Sequence, residues 1–429
     1  MRTVAKGHDA KADAGRPSLV GRGPLSSLLL ALLVCPVVPY AAGAESEGVS
    51  PSVIRVGGVM DLQGDSKGLG LGMKAGIEAA LVDRRLQGRP IEFVAMNDFY
   101  NPQTSVEATN ALLAKGVFVM LGNVGTPTAK AVLPILTDKK VPAVGFFTGA
   151  GLLRSGQGSV VNFRASYVQE IGKVIEAAIG VGVRPEEICA YVQNDAYGKA
   201  GVAGVKAAFA KLPETGKLIE ALGRIEALPD EDAGRNNIGP VGVYQRNTLR
   251  SKEGYLSLKK WEEQSGRHCR LVVTVGTYRA VSNFIAYARH KGETWTVSAV
   301  SFTGADDLKS ALKEYGFTDR IIMTQVVPTL DSKLPIVTEA RTALGSQLSY
   351  VSLEGYIAGR MFVAIAESMK GDITRSAFAE AVKGKKFDLG GLPLDFTSDN
   401  QGSDFVQLTY IDADQYREID PGALKRLLQ

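Results

Sequence analysis

Residues 117–134, VFVMLGNVGTPTAKAVLP, restrict the fold more than any other stretch. Val117, Phe118, Val119, Met120 and Leu121 form a short run that is apolar throughout, as a parallel strand covered on both faces requires. Gly122, Asn123, Val124 and Gly125 turn the chain. Thr126 followed by Pro127 predicts a helix start, with Thr126 as N-cap and Pro127 at the first helical position. Such a start offers unpaired backbone N–H groups and a partial positive charge. In an open α/β sheet it lies beyond the carboxyl ends of the strands, where ligands bind. The turn is therefore expected to receive an anion, a carboxylate foremost. An ordinary capped turn with nothing bound has the same local sequence.

The strand–turn–helix unit recurs along the chain. SVIRVGGVM, a Gly-rich loop at residues 61–72 and a helix with Met73, Ile77, Ala80 and Leu81 on one face come first. IEFVAMND, a helix opened by Pro102 and Thr104, VFVMLG, the helix from Thr126 and VPAVGFF complete a β-α-β-α-β-α-β series. A second series follows a helix at residues 170–178. In it EEICAYVQND, KLIEALGRI, CRLVVTVG, TWTVSAVSF and RIIMTQVV are expected as strands. Residues 228–251 are expected to be a long polar loop. Residues 352–369 form a long amphipathic helix, and a further helix near residues 375–383 precedes strands around LDF and DFVQLTYID. This order predicts an α/β fold of two doubly wound parallel-sheet lobes. The cleft between two such lobes is a preferred ligand site, and hinge closure can shut it on a small molecule.

The front of the chain belongs to export rather than to the fold. Residues 1–24 are basic and polar, residues 25–38 are apolar, and Ala42-Gly43-Ala44 supplies small residues for cleavage after Ala44. The apolar run is too short and too proline-marked to span a membrane, so residues 1–44 are expected to be a secretory signal peptide. A membrane-anchored N-terminus is the alternative, and the long leading segment is compatible with translation starting downstream of Met1. The formal charge of the whole chain is +4, and removal of the segment brings it close to neutral. Neither value suggests nucleic acid as a partner.

Little in the chain suggests catalysis. Cys35 leaves with the signal; Cys189 and Cys269 remain, either paired in an oxidising compartment or free and buried. No Cys/His spacing resembles a metal site, and only His268 and His290 remain in the mature chain. Gly68, Gly70 and Gly72 start nine residues after Val59, and their spacing fails the dinucleotide pattern at Met73. No G-x-S-x-G elbow is present for a hydrolase. No catalytic residue, metal or cofactor is expected.

The segments IRVGGVMDLQG, NDFYNPQTSVEATNALLAKGVFVMLGNVGTPTAKAVLPI, VPAVGFFTGAGLLR, NFRASYVQE, YVQNDAYGKAGVAGVKAAF, VVTVGTYRAVSNFI and SLEGYIAGRMFVAI are each degenerate, but their order and spacing are specific. Together, from Val53 to about Asp414, the chain resembles type I periplasmic solute-binding proteins of the leucine/isoleucine/valine-binding branch. The resemblance implies two lobes joined by a three-crossover hinge: residues 53–165 with 326–403, and residues 166–325 with 404–429. It implies a monomer that captures a small solute, an amino acid or related organic acid or amide, and delivers it to the membrane permease subunits of an ABC importer. A sensory protein reporting the solute to a membrane receptor is the alternative.

The resemblance also implies site residues. Thr126, with Asn123 in the same turn, would receive a carboxylate. Thr148, Gly149 and Ala150 follow the fourth strand. Tyr167 lies at the crossover, Tyr197 stands in NDAYG, and Thr277 and Tyr278 follow VVTVG. Phe302 is a candidate cleft wall. Branched-chain amino-acid binders carry an ammonium-holding carboxylate where Ser301 stands here, Asp306 is displaced by five positions, and Leu69 stands where an aromatic is common. Glu170 and Glu354 are expected as solvated helix-face charges, becoming ammonium partners only if they face the cleft. The reading requires that the space beside residue 126 not be filled by side chains.

Overall fold

The computed structural model describes residues 48–154 and 159–429. The expected signal segment, with Cys35, lies outside the described residues. Two separate, mainly parallel sheets carry the fold, the first with Arg85–Leu86 as an antiparallel edge. In the first, the strands run in the order Arg85–Leu86, Arg89–Asn97, Ile54–Met60, Met120–Leu121, Ala143–Val144 and Val160–Val161. Ile54–Met60 pairs in parallel with Arg89–Asn97, from Ile54 opposite Ile91 to Met60 opposite Asn97, and on its other side Gly57 pairs with Met120. The chain leaves the central strand first to one side and then to the other, which opens a crevice at the carboxyl ends of Ile54–Met60 and Met120–Leu121.

The second sheet runs Gln415–Glu418, Gln407–Asp412, Ile321–Gln325, Thr296–Ala299, Leu271–Val275, Ile188–Gln193 and Val241–Tyr244. Its last two strands in sequence are antiparallel additions at one edge, with Ile322 opposite Tyr410 and Ile411 opposite Tyr416. Ile188–Gln193, Val241–Tyr244, Leu271–Val275, Thr296–Ala299 and Ile321–Gln325 are buried at every position, as a sheet covered by helices on both faces demands. Cys189 and Cys269 form a disulfide with Cα atoms 5.7 Å apart, beside the pairing of Cys189 with Val272.

Three expectations for local structure are corrected. Residues 216–227, including all of KLIEALGRI, form the helix Gly216–Ala227, whose buried positions Leu218, Ala221, Leu222 and Ile225 follow helical rather than alternating spacing. The expected long loop at 228–251 contains the edge strand Val241–Tyr244, where Gly242 lies against the backbone of Gly254. The Gly-rich loop is shorter than expected, because the helix Lys67–Leu81 begins inside it. The reason is packing. A side chain at Gly70 would strike the Asp61 carbonyl, and one at Gly76 the backbone of Ser352 and Tyr356. Glycine at these positions lets the helix sit directly on the first turn and on the helix Tyr350–Ser368.

Tyr350–Ser368 thus returns the chain to the first sheet after the second has been built. The chain passes between the two halves near residues 165, 326 and 406, and Ala165, Val326 and Val406 form a small buried cluster of their own. Asn162 pairs with Gln401 beside this point, and Asn162 N–H donates to the Asn400 carbonyl at 2.8 Å. The molecule is an α/β fold of two doubly wound parallel-sheet lobes joined by a three-crossover hinge.

Candidate functional site

The carboxyl ends of the two sheets face one another, and most of the expected residues meet there. On the first lobe, the helix Thr126–Asp138 starts one residue earlier than the sequence suggests. Gly125 holds the cap position at φ +110, with the Tyr100 ring where a side chain would project. Thr126 therefore is not the cap, and Pro127 takes the second helical position. Freed from capping, the Thr126 hydroxyl hydrogen-bonds the Thr148 hydroxyl at 2.6 Å, both fully buried. Ala150 N–H donates to Thr148 Oγ1 at 3.3 Å. Gly149 accepts from Tyr167 N–H at 2.9 Å, and a Cβ at Gly149 would lie 2.7 Å from the Tyr167 ring, so only glycine lets that ring cross the backbone here. Asn123 serves the scaffold: its Oδ1 accepts from Val59 N–H at 3.1 Å and ties the turn to the central strand.

Tyr167 opens the helix Tyr167–Gly180, whose start is fixed by a capping box between Ser166 and Gln169. On the second lobe, Asp195 caps the helix Ala196–Phe209 by accepting from Tyr197 N–H at 2.9 Å, which aims the Tyr197 ring toward Tyr167, 5.3 Å away between centroids. Phe302 sits on the short turn Ser301–Thr303 and lies 4.8 Å from Tyr197, 5.1 Å from Phe147 and 6.2 Å from Tyr100. Thr126, Thr148, Gly149, Ala150, Tyr167, Tyr197 and Phe302 are thus brought into one buried neighbourhood.

Thr277 and Tyr278 are placed differently. Thr277 N–H donates to Tyr244 Oη at 3.2 Å, behind the centre. Tyr278 lies at the rim, where its Oη accepts from Gly68 N–H at 3.4 Å and its ring lines a surface cavity of about 630 Å³ with Gln63, Asp65, Phe99 and Asn247. Asp306 lies outside the site, accepting from Tyr350 N–H at 3.1 Å. Leu69 is buried against Gly304.

The space beside Thr126 is filled. Thr126 has no exposed surface, the Tyr100 ring lies against neighbouring Gly125, Phe302 packs against Phe147, Tyr100 and Tyr197, and the lobes are latched at the rim. Lys130 pairs with Asp230 at 2.7 Å, Arg246 Nη1 donates to the Tyr100 carbonyl at 3.0 Å, Asn247 Nδ2 donates to the Phe99 carbonyl at 3.2 Å, and Arg279 pairs with Asp65. The requirement of an unfilled gap therefore fails for this closed arrangement, because Phe302 from the second lobe inserts between residues of the first. The packing leaves polar atoms unanswered: Tyr167 Oη and Tyr197 Oη are buried without a hydrogen-bond partner. Thr148 lies beside Tyr167 but outside hydrogen-bond geometry.

Glu170 and Glu354 are not solvated helix-face charges. Both are buried around Arg164, a residue the sequence reading missed although it is a charge between Phe163 and Ala165. Arg164 Nη2 donates to Glu170 Oε1 at 3.1 Å and also bonds the Ser301 hydroxyl. Glu170 further accepts from Ser301 N–H at 2.8 Å and from the Thr324 hydroxyl. Arg164 Nη1 stands 3.5 Å from Glu354 Oε1, and its guanidinium lies 5.0 Å from the Phe147 ring centre. Burial works against the Arg164 charge, but Glu354 and Glu170 outweigh it and raise its pKa. Burial lifts Glu354 to about 7, against the pull of Arg164. Burial also lifts the phenols of Tyr100, Tyr167 and Tyr197, so all three remain protonated donors at neutral pH.

Tyr100, Phe147 and Gln193 were missed as well. Gln193 Nε2 donates to Tyr100 Oη at 3.1 Å, joining the lobes through the interior. The local signal for Tyr100 is its place in NDFYNP, and Phe147 immediately precedes Thr148. Among the described residues, no group of three or more His, Cys, Asp or Glu could hold a metal ion, and no helix is long and apolar enough to cross a membrane.

Residues 53–216 match the model of a family described as periplasmic binding protein. No curated protein matches the chain. Among solved structures, a possible leucine/isoleucine/valine-binding protein from Rhodopirellula baltica SH 1 is 34% identical with a TM-score of 0.76, covering 90% of this chain and 100% of that one. A solute-binding protein of an ABC transporter from R. palustris, in complex with 4-hydroxybenzoate, is 17% identical with a TM-score of 0.66 over 86% of this chain and 96% of that one. A leucine-binding protein from Thermotoga maritima MSB8 is 15% identical with a TM-score of 0.66 over 86% and 98%. The latter two share the fold. Its two lobes, three crossovers and similarity over nine-tenths of its length show that the chain belongs to the type I periplasmic solute-binding proteins, in their leucine/isoleucine/valine-binding protein-like family.

Proposed function

We propose that this protein is the extracytoplasmic solute-binding component of an ABC importer and captures a small carboxylate-bearing solute between residues 53–165 with 326–403 and residues 166–325 with 404–429. The observation that carries the reading is the set of buried hydroxyls at the junction. Thr126 stands at the head of a helix with Thr148 hydrogen-bonded to it, and the protonated phenols of Tyr167 and Tyr197 lack acceptors. A buried donor without a partner costs about 1–3 kcal/mol, and a carboxylate would answer several donors at once.

The rings that fill the junction do not oppose this reading if the lobes part. Phe302 belongs to the second lobe and its partners Phe147 and Tyr100 to the first, so rotation about the hinge withdraws it. The Cys189–Cys269 disulfide suits a periplasmic location. The names of similar proteins point to leucine, 4-hydroxybenzoate and fatty acid, which share a carboxylate. Delivery to permease subunits follows from the same reading.

The test is a thermal-shift screen of amino acids, aromatic acids and short fatty acids, because a ligand that binds only the folded state raises its melting temperature. Calorimetry on the best stabiliser should then show Thr126→Ala binding roughly tenfold or more weakly, the cost of a hydrogen bond to a charged group being about 1.5–3 kcal/mol. Equal affinity in the variant removes Thr126 from the site.

A further inference from the structure

We infer that Arg246 is a positioning residue: it clasps Tyr100 across the lobe boundary and sets how long a captured solute stays enclosed, without touching that solute. The inference rests on solute capture at this junction and adds the residue that times release.

The clasp begins with backbone strain. Phe99 and Tyr100 are consecutive non-glycine residues in the left-handed conformation, at φ +54 and +52, a region such residues seldom occupy. The first lobe holds both there. Asn97 Oδ1 accepts from Phe99 N–H at 3.3 Å, and Asp98 Oδ1 accepts from Tyr100 N–H at 2.8 Å. The turn presents two successive carbonyls to the second lobe. Asn247 Nδ2 donates to that of Phe99 at 3.2 Å, and Arg246 Nη1 to that of Tyr100 at 3.0 Å. Asn247 is itself left-handed, at φ +56. Such strain persists only where the surroundings over-determine it, and it gathers at clamps and switches. Here it stands on both sides of one contact.

Arg246 is also wired to the interior. Its side chain is largely buried, and its other nitrogens serve its own lobe. Nε donates to Asp195 Oδ2 at 3.1 Å and Nη2 to Glu231 Oε1 at 3.1 Å. Asp195 Oδ2 also accepts from Gln193 Nε2 at 2.8 Å, and the same amide donates to the Tyr100 hydroxyl at 3.1 Å. The contacts close a circuit from Arg246 through Asp195 and Gln193 to Tyr100 and back. The circuit grips Tyr100 at both ends, by its hydroxyl and by its carbonyl. The other Asp195 oxygen accepts from Tyr197 N–H, so the same carboxylate orients a phenol of the site. Opening must break both Tyr100 contacts together, whereas Asp195 and Glu231 travel with Arg246. The planar guanidinium fork is fixed in advance for all three partners. The clasp therefore acts on opening and release rather than on encounter.

The first experiment reads closure with no solute present. Asp65→Cys with Arg279→Cys puts thiols on facing, solvent-exposed sides of the rim, and a short bifunctional thiol reagent joins them only when the lobes shut. Adding Arg246→Ala should slow cross-linking at least fivefold, and Asn247→Ala at least twofold. Single labelling of Asp65→Cys or of Arg279→Cys should keep its rate, which a general loosening of the fold would not allow. Glu231→Gln, altering the same-lobe partner, should leave cross-linking unchanged. Asn247→Ala decides the matter if Arg246→Ala folds poorly. Equal cross-linking with and without these side chains overturns the clasp. L-Leucine, 4-hydroxybenzoate and hexanoate are the probes for release. For one that binds, Arg246→Ala should speed dissociation at least fivefold with association unchanged, and equal dissociation overturns the timing role. Failure of all three, with the wider screen also inactive, overturns carboxylate capture and the timing role together, while cross-linking still decides the clasp.

Discussion

Thr126 and Thr148 show how a single glycine sets the chemistry of a turn. With Gly125 in the cap position, the Thr126 hydroxyl is free to meet Thr148 at 2.6 Å. A larger residue at 125 would collide with Tyr100 and demand an unfavourable backbone geometry. Glu354 carries the clearest pH signature at this scale. Its pKa rises from 4.5 to about 7 on folding because burial penalises the charge. The folded state therefore holds the proton more tightly, so this stabilising contribution is complete below about pH 4.5 and is lost as pH rises through 7. The loss amounts to about 3 kcal/mol. Wild type minus Glu354→Gln, followed by chemical denaturation from pH 5 to 8, should show stability falling with pH; a flat or rising difference contradicts the buried, poorly served carboxylate. Asp98 and Asp307, each lifted by burial to about 6, act in the same direction and cancel in the difference.

At the scale of elements, the alternation of apolar runs and amphipathic helices is readable where a strand is covered on both faces, as Ile188–Gln193 and Leu271–Val275 are, and where a helix is covered on one, as Ala305–Tyr315 is. Where that rule weakened, the reading failed. KLIEALGRI is apolar enough for a strand, but its buried positions repeat every three to four residues. Val241–Tyr244 is a four-residue edge strand between polar stretches, too short to carry a periodic signal. The glycine at 70 reads as loop because local sequence cannot show that the Asp61 backbone lies against it. The disulfide joins two elements across eighty positions, a separation at which pairing is invisible without the fold. Replacing both Cys189 and Cys269 with serine should cost about 2–5 kcal/mol. Urea denaturation checks this, and an unchanged midpoint would show that the sheet alone holds these segments together.

For the whole molecule, the legible part of the site was the set of loop residues at strand ends, and the hidden part was what crosses between lobes. Tyr100, Arg164 and Gln193 act through partners far away in sequence and on the other lobe: Gln193 on the second for Tyr100, Ser301 on the second for Arg164, and Tyr100 on the first for Gln193. The rim pairs at Lys130–Asp230 and Arg279–Asp65 are solvent-facing and contribute little each. Closure is therefore held mainly by the interior, by Phe302 among Phe147, Tyr100 and Tyr197 and by hydrogen bonds through Gln193. Two of the phenols in that interior remain unserved, so the closed state gains most when a polar solute is enclosed.

Small-angle X-ray scattering of the mature protein, alone and saturated with a solute that raises its melting temperature, tests this most directly. The account predicts a contraction on binding, with the bound profile matching the shut lobes described above. Superimposable profiles with and without such a solute would contradict it.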